Sequence, residues 1–176
     1  MIRTVSLEDA GAIVFIYNYY VKNSPATFEE IPLSARDMAA RIRTVGENYP
    51  WIVWEENGEI LGYAYMHRYH ERAAYRYTAE DSIYIRAGCE GRGIGRALLE
   101  NLINAARKME IRVLLSIITV PNEASVGLHE KFGFKKAGQF HEVGYKFGQW
   151  LDVGYWELLL DAEEKRRVKE PLTPFV

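Results

Sequence analysis

The segment Glu90-Gly91-Arg92-Gly93-Ile94-Gly95-Arg96 lies between a strand-like run and an amphipathic helix, and it restricts the possible folds more than any other stretch. Three glycines at alternate positions let the main chain approach a bound group and aim several N–H groups outward. The helix start adds about half a positive charge, which suits a diphosphate. Arg92 and Arg96 can add charge pairing. On this pattern alone a purely structural glycine turn is equally compatible. Two other phosphate loops are excluded. A Walker A loop needs Gly-Lys-Ser/Thr, and here Gly95 is followed by Arg96-Ala97. A dinucleotide fingerprint follows the first strand of its unit, whereas this turn follows the fourth.

The order of elements around the turn predicts an α/β domain. Ile2–Val5 reads as a strand, and Ser6-Leu7-Glu8-Asp9 offers an N-cap that opens a helix to about Tyr20. Ser34 caps a second helix to about Glu47. Trp51–Glu56 and Glu59–His67 form a hairpin around Asn57-Gly58. A strand over Tyr75–Arg86 leads into the glycine turn and a helix from about Gly93 to Met109. Val113–Thr119 reads as a buried strand, and Asn122–Phe132 as a short helix ended by Gly133. Lys135–Leu160 holds two strands separated by Gly144–Gly148. The expectation is one mixed sheet in a single domain over residues 1–160, with residues 161–176 as a tail.

Composition narrows the partners. The chain has 176 residues, 48% hydrophobic and 26% charged, with a net charge of −2 and both signs interspersed. That balance argues against nucleic acid, whose binding rests on phosphate contacts. No apolar run is long enough to span a membrane, and the start MIRTVSLEDAG is not of signal-peptide type, so the expected compartment is the cytoplasm. The single cysteine, Cys89, fits a reducing compartment, and nothing near it marks an activated thiol. His67 and His70 have no third ligand nearby, so no metal is expected.

With its strand-four-to-helix-three position, the glycine turn resembles the Gcn5-related N-acetyltransferase pattern, Gln/Arg-x-x-Gly-x-Gly/Ala. Gly93 and Gly95 match the two key glycines, and Glu90 departs from the usual Gln or Arg. A second signature of that superfamily appears as Pro121-Asn122-Glu123-Ala124-Ser125, then Leu128-His129 and Gly133-Phe134. Further blocks are similar to the phosphinothricin and methionine-sulfone acetyltransferases: Ile16-Tyr17-Asn18, Ala26-Thr27-Phe28-Glu29, Tyr75-Arg76-Tyr77-Thr78-Ala79-Glu80, and Gly144-Tyr145-Lys146 with Gly148, Trp150 and Asp152-Val153. The resemblance implies an acetyltransferase fold, a mostly antiparallel twisted sheet splayed between strands four and five with helices on both faces. It also implies acetyl-CoA as cosubstrate, a small amine as acceptor and a homodimer, the block around Lys146, Trp150 and Asp152 reaching towards a partner's site.

An acceptor amine arrives as an ammonium ion, and only the neutral amine attacks a thioester, so a base is needed. Strand alternation places Arg76, Thr78, Glu80, Ser82 and Tyr84 on one face. On periodicity alone Arg76 and Glu80 read as surface charges. The resemblance makes Glu80 the general base and Arg76 the holder of an acceptor's carboxylate or phosphinate. Phe28, Glu29, Arg72, Tyr75 and Tyr77 are the other candidates for the acceptor pocket. Ile83, Tyr84 and Ile85 are expected along the pantetheine arm, with Gly91, Arg92, Gly93, Ile94, Gly95 and Arg96 at the diphosphate and Asn122 nearby. His129 is expected to be a general acid for the departing thiolate, or a second base. Asp81 falls on the apolar face beside Ile83, where a bulge or a buried partner would account for it. Three alternatives stand beside this reading: a peptide acetyltransferase, an enzyme for another small amine, and a non-catalytic CoA-binding regulator.

Overall fold

The computed structural model describes residues 1–160; the expected tail, 161–176, lies outside the described residues. Seven strands form one sheet: β1 (Ile2–Thr4), β2 (Trp51–Glu56), β3 (Glu59–Arg68), β4 (Thr78–Ile85), β5 (Val113–Val120), β6 (Lys135–Lys146) and β7 (Gln149–Leu159). Their spatial order is β1-β2-β3-β4-β5-β7-β6. Every pairing is antiparallel except β4 with β5. The helices are α1 (Ala10–Asn23), α2 (Ala35–Gly46), α3 (Ile94–Lys108) and α4 (Glu123–Lys131). Among the described residues no helix is long and apolar enough to cross a membrane.

Alternation along the strands gives the sheet two apolar faces, each with its own core. Trp51, Val53 and Tyr63 pack with Ile13, Ile16, Tyr17 and Val21 of α1 and Met38 and Ile42 of α2. Ala64, Met66, Ala79 and Leu114 pack with Leu98, Leu99, Leu102 and Ala106 of α3 on the other side. Local signals set several boundaries. Ser34 Oγ accepts from Asp37 N–H at 3.1 Å and caps α2. Asn57 and Gly58, both at positive φ (52° and 79°), close the β2–β3 hairpin.

Three expectations shift. Ser6 opens a 3₁₀ turn over Leu7–Asp9 rather than α1 itself. Asp9 is drawn aside by Arg3 (2.7 and 2.9 Å) and by the Ser6 N–H (2.7 Å). The fourth strand begins at Thr78, not Tyr75, because its partner β3 ends at Arg68, opposite Ala79. Residues Ala73–Tyr75 instead form a 3₁₀ turn, with Arg76 N–H bonded to Ala73 O at 3.1 Å. Finally, β6 continues through Gly144 to Lys146, so the turn to β7 holds only Phe147 and Gly148.

Candidate active site

The sheet splits where β4 and β5 part. Only Thr78–Val113, Ala79–Leu114 and Glu80–Leu115 are paired, and both strands then run on for five residues without each other. Arg86 N–H donates to Leu61 O at 2.8 Å, which sets the alternation of the β3–β4 pairing. Tyr84 is therefore bonded to β3 through its main chain, and Ile83 and Ile85 turn their N–H and C=O groups towards the opening. The Ile85 carbonyl accepts a hydrogen bond from Tyr20 Oη at 2.7 Å. A free strand edge in a cleft is suited to an extended amide-bearing chain.

At the mouth of this opening is the glycine turn. Gly88, Gly91 and Gly93 all have positive φ (85°, 75° and 80°), and Gly93 is the residue preceding α3. These conformations let consecutive amides converge ahead of the helix start. Glu90, the departure from the usual pattern, accepts from Gly88 N–H at 2.8 Å and braces the turn internally. Arg92 pairs with Glu56 at 2.7 Å, and Arg96 is exposed in the first turn of α3. Gly95 lies under α4: a Cβ there would sit 3.4 Å from Leu128. These residues fit a coenzyme diphosphate, which main-chain amides and a helix start bind without a dedicated cation.

Glu80 stands at the last paired position before the split, on the face that carries α1 and α2. Burial pushes its carboxyl above the ordinary value of 4.5; His67 opposes that shift and Asp81 adds to it. His67 is its cross-strand neighbour, with Nε2 3.8 Å from Glu80 Oε1. Along the same face run Tyr65, stacked on Trp51 at 4.2 Å, and Tyr84, which meets the rings of Tyr63, Tyr17 and Tyr20 at 5.2–5.3 Å. Burial raises the Tyr17 phenol to about 12, so it stays protonated and bonds to Thr27 Oγ1 at 2.8 Å. The loop carrying Phe28 and Glu29 is held over this face by Lys146. Its ammonium donates to Ser24 O (2.9 Å) and Thr27 O (2.7 Å). Phe28 lies across Gly144, where any Cβ would clash with the ring. Glu29 pairs with Arg41 of α2 at 2.8 Å.

The opposite face of β4 holds a second constellation. Asp81 Oδ2 lies 2.9 Å from His129 Nε2, and both residues are buried. Ser116 Oγ is 3.0 Å from the same nitrogen, while Nδ1 donates to the Ser125 carbonyl at 2.7 Å. Burial alone would lower the His129 pKa. The Asp81 hydrogen bond and charge, with the Ser125 carbonyl, outweigh it and raise the imidazole above 6.5. Asp81 thus has the buried partner that its place on an apolar face called for. Asn122 Oδ1 caps α4 by accepting from Ser125 N–H at 3.1 Å.

The remaining candidates lie before β4. Arg76 is not on the strand with Glu80, because residues 75–77 precede the first pairing. Its guanidinium stacks on the Tyr77 ring at 4.6 Å and donates to Ala73 O. Tyr75, Tyr77 and Arg72 are exposed on the same loop. The structure thus brings Glu80, His67, Phe28 and Glu29 to one face and sends His129 to the other. Sequence reasoning missed His67, whose signal was its register opposite Glu80; it placed Lys146 in a block reaching towards a partner's site, whereas its ammonium is buried on two carbonyls of its own chain about 120 residues away.

A sheet opened between two parallel strands, with a glycine turn at its mouth and a carboxylate at its vertex, defines a coenzyme-dependent acyltransferase. The acetyltransferase (GNAT) domain profile matches residues 2–154. The chain is 40% identical over 163 residues to phosphinothricin N-acetyltransferase of Alcaligenes faecalis, covering 92% of this chain and 83% of that protein. It is 38% identical to the L-methionine sulfoximine/L-methionine sulfone acetyltransferase of Pseudomonas aeruginosa, covering 91% and 94%. The crystal structure of a phosphinothricin acetyltransferase from Sinorhizobium meliloti in complex with acetyl-CoA superposes with a TM-score of 0.88 at 36% identity, covering 91% of this chain and 88% of that one. The chain belongs to the GNAT acetyltransferase family, and its cosubstrate is acetyl-CoA.

Proposed function

We propose that the acceptor is a small amino-acid-like amine of the phosphinothricin, methionine sulfoximine or methionine sulfone kind, acetylated directly on its amino group with Glu80 as general base. The observation that carries this reading is the position of Glu80: a half-buried carboxylate at the vertex of the split, on the face lined by aromatic rings. Acetyl-CoA supplies an activated acetyl group. Gly91–Arg96 hold its diphosphate, Ile83 and Ile85 pair with its pantetheine amides beside Asn122, and Tyr84 walls the acceptor side.

Phe28, Glu29, Arg72, Tyr75, Arg76 and Tyr77 border the acceptor. Arg76 has no carboxylate partner among the described residues and holds the acceptor's anion. The departing sulfur takes its proton from solvent or from His129, by way of the Ser125 hydroxyl 3.5 Å from Nδ1. The exposed rings of Tyr145, Phe147 and Trp150 on the β6–β7 hairpin support a homodimer. The role is detoxification of amino-acid-like inhibitors in the cytoplasm.

A thiol-release assay tests the acceptor. Turnover with phosphinothricin, methionine sulfoximine or methionine sulfone is expected, with none on a polyamine or a peptide. Activity on the peptide alone would replace this reading. Sedimentation of the wild type and of Trp150→Glu tests the dimer.

A further inference from the structure

We infer that His67 is a second proton acceptor in the amine subsite, working beside Glu80. This rests on the reading of Glu80 as base and deepens it. His67 and Glu80 are direct cross-strand partners on β3 and β4, so their side chains rise from the same face of the sheet. His67 Nδ1 lies 3.0 Å from the Arg68 carbonyl. A carbonyl can only accept, so Nδ1 carries the hydrogen, and in the neutral form of the ring the Nε2 lone pair is turned towards Glu80. Nε2 and Glu80 Oε1 are 3.8 Å apart. That separation is too long for a direct hydrogen bond, and one amine nitrogen placed at ordinary hydrogen-bond distance from both atoms bridges it. Both side chains retain some access, 34% for His67 and 20% for Glu80, so substrate and solvent reach them.

Acetylation of an ammonium ion needs two such acceptors. The nitrogen must lose one proton to become nucleophilic and a second as it becomes an amide. Glu80 takes the first, and one of the two remaining amine hydrogens, bonded to Nε2, aims the lone pair at the thioester carbon. As the C–N bond forms and the C–S bond breaks, His67 Nε2 takes the second proton and becomes imidazolium. The leaving thiolate gains one proton from solvent; Glu80 and His67 each return one. The sum is an amide, a thiol and one proton released, as the reaction requires. The groups facing this pair are Tyr65 on β3 and Tyr155 on β7, with Asp81 acting on Glu80 from the far face of β4.

His67→Gln keeps a hydrogen-bond acceptor and removes the proton acceptor. It is expected to lower kcat by about 10–100-fold, to change the amine KM by less than about threefold, and to leave acetyl-CoA affinity unchanged. The discriminating readout is the acid limb of log(kcat/KM) against pH. Two groups that must both be unprotonated give the wild type a limiting slope of 2, and the variant a slope of 1. A wild-type slope of 1, unchanged in the variant, overturns the inference while leaving Glu80 in place. Glu80→Gln with full kcat overturns the underlying reading instead. Should His67→Gln fail to bind acetyl-CoA, the wild-type slope alone decides.

Discussion

Asp81 Oδ2 stands 2.9 Å from His129 Nε2, in a place sealed from solvent where β4, β5 and α4 meet. Three elements that diverge elsewhere are joined there by one ion pair, with Ser116 and Ser125 completing the hydrogen bonds of the ring. Deleting one partner leaves the other buried without its counter-charge. Asp81→Ala is therefore expected to cost about 3–5 kcal/mol in urea unfolding. Asp81→Asn, whose amide can donate to a neutral His129, is expected to cost about 1–2 kcal/mol. Equal losses in the two variants would show that the charge is not what matters.

The same pair gives stability a pH dependence of definite sign. The native His129 pKa is raised above 6.5, so its contribution is complete below 6.5 and is lost as pH rises through the native value. Glu80, raised above 4.5 by burial, acts in the same direction over a lower range. Unfolding free energy is expected to be larger at about pH 6 than at about pH 8, with a smaller difference in His129→Gln. A wild type that gains stability over that interval would contradict the His129 assignment.

Glu80→Gln keeps the shape of the side chain and removes its basicity. The expected result is a kcat lower by roughly 10²–10⁴-fold, with acetyl-CoA affinity little changed. In the wild type the acid limb of kcat is expected above 4.5, because burial raises the carboxyl. A variant with the wild-type profile would retire the base.

Gly93 is at φ 80°, ψ 0°, where an L side chain is strained by about 1–2 kcal/mol. Gly93→Ala is expected to weaken acetyl-CoA binding about tenfold by calorimetry, as the turn relaxes away from its amide-converging form. Gly95 has no such φ, and its Cβ would make ordinary contact with Leu128. Gly95→Ala should therefore bind acetyl-CoA nearly as the wild type does. The reverse order would mean that the turn does not hold the diphosphate.

Arg76→Ala separates the acceptor's anion from its amine. KM is expected to rise about tenfold for an amino-acid acceptor, through loss of a charge-assisted contact, and to stay constant for the same amine without its carboxylate. A rise for both would place Arg76 in the loop's architecture rather than in recognition.

What could be read in advance was what short stretches of chain decide by themselves. Asn57-Gly58, the Ser34 cap and the Gly91–Gly95 turn all depend on residues a few places apart, and each formed where it was expected. The start of β4 depended on where β3 ends, so alternation counted back to Arg76 went one turn too far. Asp81 looked anomalous because its partner comes from α4, 48 residues on. Lys146 sat in a recognisable block, yet its work on the 24–28 loop follows from a fold that brings distant segments together.

With only Thr78, Ala79 and Glu80 bridging its two halves, the sheet is a ladder with rungs missing from its middle. A cosubstrate lying along Ile83 and Ile85 would supply substitute rungs. The melting temperature should then climb with acetyl-CoA concentration, as the logarithm of concentration once that exceeds the dissociation constant, and amide exchange along β4 should slow with it.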